Sequence, residues 1–206
     1  MKRLSASLFV LFIIWSAHGQ NLSYEIVRGD NQIGSLEVKH HVEDSIEKIH
    51  MHNNVSFRII FSFKVDYELK ETFVNGVLTY GDGYNTLNGA SQKETTIKLK
   101  EDGYHLKIDG VEGYNEKKPI TNSMSKIYHE ELYDGKKVYS QYFGLYLEAE
   151  EEGEHKYSIV SPDGENIYRY KYGYCTEVKV IRDFATFYIR MTDETLEKVK
   201  ELKGID

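Results

Sequence analysis

The feature that most constrains this chain is the run from Val55 to Leu69. Every odd position is apolar (Val55, Phe57, Ile59, Phe61, Phe63, Val65, Tyr67, Leu69) and every even position except Ile60 is polar. Successive side chains leave a pleated strand on opposite faces, so a period of two marks a half-buried antiparallel strand with one wet face. Read as a single strand, the run reaches roughly 50 Å, whereas a globule of this chain length is only about 40 Å across. The strand is therefore expected to curve, with Ile60, apolar on the wet side, as a bulge or bend.

Turn residues punctuate the rest of the chain. Gly29-Asp30-Asn31, Asn53-Asn54, Asn75-Gly76, Asp102-Gly103, Asp109-Gly110, Asp134-Gly135, Gly153, Pro162-Asp163-Gly164 and Gly173 separate short segments rich in Tyr, Val, Ile, Thr and Phe. That is the pattern of hairpin-linked strands. Asn75-Gly76 suits a two-residue type I′ turn because both residues tolerate positive φ. Glu177 to Met191 reads as a second long strand, with Val178, Val180, Phe187, Ile189 and Met191 among its apolar positions.

Two stretches depart from the strand pattern. After Pro119, residues Ile120, Met124, Ile127 and Tyr128 recur at helical spacing, which predicts a short helix over Ile120–Glu131 lying across the sheet. Thr192 or Asp193 can cap a C-terminal helix whose apolar stripe is Leu196, Val199 and Leu202, packing on the edge or end of the sheet. A strongly curved sheet cannot satisfy its concave face alone. That face needs the Ile120 helix, an opposing sheet or a ligand.

The first residues read as a targeting segment. Lys2 and Arg3 precede an apolar run from Leu8 to Trp15, and Ala17-His18-Gly19 places small residues where a signal peptidase reads. Residues 1–19 are read as a signal peptide and 20–206 as a single secreted domain, most simply a periplasmic one. The apolar run is about half of the roughly 20 residues that span a bilayer, and no later stretch is apolar enough, so no membrane span is expected. Removing Lys2 and Arg3 leaves 33 acidic residues against 26 less two basic ones, which deepens the net charge of −7. Such a surface repels phosphate backbones, and with no basic stripe present nucleic acid is not an expected partner. The one cysteine, Cys175, cannot form an internal disulfide and reads as buried.

Several segments carry a family likeness. Tyr24-Glu25-Ile26, the hairpin leading to Ile33-Gly34, Pro162-Asp163-Gly164, Gly173-Tyr174-Cys175-Thr176-Glu177-Val178 and Phe184-Ala185-Thr186-Phe187-Tyr188-Ile189-Arg190 resemble a family of uncharacterised exported bacterial proteins. The resemblance covers nearly the whole chain after residue 19. It implies a curved antiparallel sheet of the half-barrel or clam kind, similar in outline to periplasmic lipoprotein-localisation carriers. With the residue patterns above, the expected fold is mainly β: one large curved antiparallel meander sheet with one short covering helix and a C-terminal helix. No catalytic residue comes with it.

Motifs for chemistry are sparse. His40, His41, His50 and His52 cluster, and a hairpin turning near Asp44-Ser45 brings His40 or His41 towards His50. Their spacing matches no established ligand pattern, and His50 and His52 sit opposite apolar Ile49 and Met51, so they read as water-facing and no metal site is assigned. Glu148, Glu150, Glu151, Glu152 and Glu154 around Gly153 lack the spacing of a calcium loop and read as a solvated hairpin tip. Nucleophile-elbow, zincin, phosphate-loop and dinucleotide motifs are absent from the sequence. No catalytic residue and no cofactor are expected. The abundant tyrosines suit half-exposed sheet faces, and the alternative has Tyr80, Tyr84, Tyr139, Tyr142 and Tyr146 lining a cleft.

The leading functional expectation is a non-catalytic binder or carrier that holds an apolar or amphipathic small molecule in the concave face. Its candidate cavity residues are Phe57, Ile59, Phe61, Phe63, Val65, Met124, Ile127 and Tyr128. The alternatives are an interaction protein of the cell envelope with a core filled by its own side chains and an envelope protein as partner, and, ranked third, an enzyme without a recognised motif.

Overall fold

The structure is a computed structural model that describes residues 18–58, 62–113, 117–183 and 185–205. The expected signal segment lies outside the described residues apart from His18 and Gly19, which open the first strand. Eight strands come first: β1 (His18–Arg28), β2 (Asn31–Glu43), β3 (Ile46–Arg58), β4 (Ser62–Val74), β5 (Val77–Leu87), β6 (Ala90–Lys100), β7 (Gly103–Ile108) and β8 (Val111–Glu112). A strap with little regular structure leads to six more: β9 (Lys137–Ser140), β10 (Leu145–Gly153), β11 (Lys156–Ser161), β12 (Gly164–Lys171), β13 (Tyr174–Arg182) and β14 (Ala185–Met191). The helix α1 (Asp193–Leu202) follows.

Among the described residues, all the strands join in one antiparallel sheet ordered β8-β7-β6-β5-β4-β3-β2-β1-β14-β13-β12-β11-β10-β9. Two meanders are therefore spliced where β1 pairs β14, with Tyr24 opposite Met191 and Ile26 opposite Ile189. Tight turns set the registers. Asn75 and Gly76 have φ of 51° and 76°, the paired positive angles of a type I′ turn.

The run from Val55 to Leu69 is a hairpin and not one long strand. Phe57 lies opposite Phe63 and Val55 opposite Val65, the two phenylalanine rings stacking at 5.4 Å, and Ile59, Ile60 and Phe61 lie outside the described residues. This register pairs odd residues with odd residues, so the inward set keeps its parity through the reversal and the alternation conceals the turn. Arg58, Ser62 and Lys64 are exposed, while Phe57, Phe63 and Val65 are half-buried on the inner face. The second expected long strand is likewise a hairpin, β13 to β14, with Val180 opposite Phe187.

Curvature is established by contacts across the concave face. In sheet order β6 and β9 stand eleven strands apart, about 50 Å along a flat sheet. Yet Gln141 Nε2, one residue past β9, donates to Thr95 Oγ1 on β6 at 3.0 Å, and Lys93 Nζ donates to the Tyr142 carbonyl at 3.3 Å. The sheet curls until its two wings meet, although β8 and β9 do not pair.

The strap from 117 to 136 covers the concave face as expected, but in a different form. Between Ile120 and Glu131 only Lys126–Tyr128 is helical, as one 3-10 turn. Tertiary bonds replace helical ones: the Ile120 carbonyl accepts from Leu78 N, Tyr139 N donates to the Asn122 carbonyl, and Met124 N donates to the Tyr139 carbonyl. Ile120, Ile127 and Tyr128 are buried. At the C-terminus Thr192 caps α1 by accepting from Thr195 N at 3.3 Å, and the helix docks where β14 ends and leaves Ser23 of β1 open: Ser23 N donates to Thr195 Oγ1 and Ser23 O accepts from Thr192 N. Val199 is buried, whereas Leu202 is 64% exposed, so the expected stripe shortens at its last turn.

Deleting the Ile120 side chain should test the strap. Ile120→Ala is expected to lower stability by about 2–5 kcal/mol, read from the urea midpoint, while Leu202→Ala stays within about 0.5 kcal/mol of the parent.

Candidate functional site

The curled sheet encloses a cavity of about 850 Å³. One wall is Ile26, Leu36, Met51, Val55 and Leu69 from β1 to β4, and the other is Leu147, Ile159, Val180, Phe187 and Ile189 from β10 to β14. These are the inward-parity residues of their strands, so the alternation that builds the sheet also makes the cavity wall apolar. Tyr67, Tyr128, Tyr142 and Tyr168 add rings with hydroxyls. Burial lifts the phenols of Tyr67, Tyr128 and Tyr168 above the ordinary range, with neighbouring groups adding to or trimming the effect, so all three stay neutral. Asn53 lines the wall midway along β3, and its buried Oδ1 has no hydrogen-bond partner among the described residues.

At the end away from the strap, the described lining is a rim formed by the turn that joins β11 to β12 and by the end of β13, with Phe57 beside them. Ser161, Pro162, Asp163, Gly164, Arg182 and Asp183 line it. Gly164 has φ of +124°, and a Cβ there would stand 2.4 Å from the Ile181 carbonyl, so only glycine lets this turn lie against the strand carrying Arg182. The Arg182 Nη1 donates to Ile181 O at 2.8 Å, Asn166 Oδ1 at 3.0 Å and Glu165 O at 3.3 Å. Burial lowers its pKa, with Asp163 opposing the effect.

The opposite end is closed by the strap over a chain of buried polar groups. Glu71 on β4 accepts through Oε2 from Ser123 Oγ at 2.6 Å and from Ser125 Oγ. Lys126 Nζ lies 2.8 Å from Glu47 on β3 and 4.5 Å from the centre of the Phe73 ring. Glu47 in turn meets His40 Nε2 on β2 at 2.8 Å, and the His40 ring packs 4.6 Å from that of His129. Burial raises the Glu71 carboxyl despite the serine bonds and Lys126. At Glu47 burial pushes upward too, but hydrogen bonds from His40 and Lys126 outweigh it and hold the carboxyl low. His129 is pushed down to about 3 by burial and by His40 beside it, with Glu47 opposing. The serine hydroxyls point at a carboxylate, so this end anchors the strap.

Of the expected cavity residues, Phe57, Val65, Met124 and Tyr128 line the cavity. Phe63 stacks on Phe57 without forming wall, Ile127 is wholly in the core, and Ile59 and Phe61 lie outside the described residues. Among the tyrosines weighed for a cleft only Tyr142 is wall: Tyr80 and Tyr84 are exposed and Tyr139 is buried, with Tyr146 packed edge-on against it. The histidines disperse. His40 faces inward to Glu47, while His50 meets Glu68 at 2.6 Å and His52 approaches Asp66. Among the described residues no group of three His, Cys, Asp or Glu side chains is placed to hold a metal. The five glutamates do flank the β10–β11 hairpin tip, and Cys175 is buried with its thiol pKa raised by that burial.

Arg182 and Glu71 were not singled out by sequence, and Asn53, expected with Asn54 to mark a turn, lies with it inside β3, paired across to Tyr67. For the two charged residues a signal existed. Arg182 shares the parity of Val178 and Val180, and Glu71 that of Leu69 and Phe73, so each is a charge on the apolar face of its strand.

The sequence profile of one family, described as a domain of unknown function (DUF6134), matches residues 24–192, more than half of the chain. No curated protein and no solved structure matches. Among the described residues no helix is long and apolar enough to cross a membrane.

The closed end has a pH signature. Unfolded His129 takes up a proton below its ordinary value of 6.5, whereas in the fold it resists down to about 3. Between those values the unfolded state binds more protons, so stability falls as pH falls. Going from pH 7 to 4.5 is expected to cost the parent about 2–3 kcal/mol more than His129→Phe, measured by urea unfolding at each pH.

Proposed function

We propose that this chain, which belongs to the DUF6134 family of domains of unknown function, holds an apolar or amphipathic small molecule in the cavity of its curled sheet and acts as a non-catalytic binder or carrier. The supporting observation is the cavity itself. Its volume of about 850 Å³ falls in the range of small-molecule sites, as does its apolar wall with a few polar groups. A core filled by its own side chains leaves no such space. In this reading residues 1–19 direct export and the carrier works in the periplasm, where a water-soluble shell around an apolar cargo has an evident use.

A neutral fluorescent probe, N-phenyl-1-naphthylamine, tests the reading with delipidated protein. The parent should bind it saturably with enhanced emission. Val55→Phe combined with Val180→Phe adds bulk to both walls and should weaken binding about tenfold or more, with an unchanged circular dichroism spectrum. Emission that stays at the buffer level in the parent, or equal affinity in the filled variant, contradicts the reading and makes an envelope interaction protein the better account.

A further inference from the structure

We propose that the cavity ligand carries an acidic headgroup, a carboxylate or phosphate, which pairs with Arg182 at the rim while its apolar body fills the interior. This rests on the binder reading above and specifies the chemistry of the same site.

Arg182 is a charge without a close ionic partner among the described residues. It is only partly exposed and lines the cavity at the end away from the strap. The acceptors of its Nη1 are two backbone carbonyls on β13 and β12 and the neutral Asn166 side chain. Among the described residues no carboxylate comes within ion-pair distance of it, although other inward basic groups have one: Lys126 has Glu47 and Lys136 has Glu130. A partly desolvated cation without a close counter-charge is costly, and proteins meet that cost by pairing it. The rim aspartates, Asp163 and Asp183, are exposed; Asp163 offsets part of the effect of burial on Arg182 without coming within ion-pair distance, which leaves room for a closer anionic partner.

Geometry suits the task. Nη1, with two hydrogens shared among three acceptors, anchors one side of the guanidinium, and Asn166 is itself held by donating to Tyr168 Oη at 3.1 Å. No hydrogen bond from Arg182 Nε or Nη2 is present among the described residues, so donors remain for an anion. A planar donor set held in advance is what two-oxygen recognition of carboxylate or phosphate requires. From the rim the wall turns apolar at Val180, Ile189 and Val55, which gives the ligand its polarity: head outward, body inward.

Competition against bound N-phenyl-1-naphthylamine at neutral pH tests this with palmitate, 1-palmitoyl lysophosphatidate and the uncharged monoglyceride 1-monopalmitin. At least one acid should displace the probe at about tenfold lower concentration than monopalmitin; which acid does so distinguishes a carboxylate from a phosphate head. Arg182→Gln should bring the acids to within about twofold of monopalmitin, and Arg182→Lys, which keeps the charge and loses the planar fork, should retain part of the preference. Asp163→Asn, which removes a competing rim charge, should leave the acids preferred. Acids and monopalmitin equal in the parent, or a preference that persists in Arg182→Gln, overturns the headgroup assignment while leaving the binder reading intact. Failure of the parent to bind the probe at all overturns both.

Discussion

The ladder between β1 and β14 is the interaction on which the rest of the molecule depends. It is short, running from Tyr24 opposite Met191 to Val27 opposite Tyr188, yet it turns two independent meanders into one continuous sheet. Tyr24 reinforces it by donating its hydroxyl to the Cys175 carbonyl at 2.8 Å and by packing edge-on against Tyr128 of the strap. Once the meanders are joined, right-handed twist accumulates over the sheet, its wings curl together, and the inward residues of both halves face a common interior. Ile26 and Ile189, paired across this ladder, lie side by side in the cavity wall.

That interior is graded from end to end. At the closed end Glu71 Oε1 and both His129 ring nitrogens are buried without a hydrogen-bond partner among the described residues, in a dry environment where an unpaired polar group costs most. The two strap serines donate to Glu71 Oε2, and Lys126 and His40 meet Glu47. They fix the strap without filling the middle. The middle is apolar and open, because the strap contributes only Met124 and Tyr128 to the wall. The rim carries a cation whose present partners are all neutral. The proposed ligand, with a long apolar part and an acidic end, matches this gradient.

Much of this was legible in the sequence, and the failures have definite physical causes. Strand content, hairpin turns such as Asn75-Gly76 and the capped C-terminal helix follow from local rules and are present. The Val55–Leu69 run misled because parity carries through its turn and because Ile59, Ile60 and Phe61 include no glycine, proline or asparagine to mark one. At the second misread hairpin a signal did exist: the apolar set shifts from even positions at Val178 and Val180 to odd ones at Phe187 and Ile189, as a two-residue turn requires. The strap's helical spacing was real, but its backbone groups are claimed by Leu78 and Tyr139, partners distant in sequence that override local propensity. Arg182 could have been found by asking which charges fall on an apolar parity. Whether the interior is hollow could not, since that depends on how far the wings close.

The most direct measurement is native mass spectrometry of the full chain recovered from the periplasm of an expressing bacterium, without delipidation. The account predicts a mass excess corresponding to one small molecule per chain, released on denaturation as an acidic amphiphile and absent from the variant with Val55→Phe and Val180→Phe. A bare chain mass in gentle conditions that preserve known lipid complexes, or an adduct that survives unchanged in the filled variant, would contradict it.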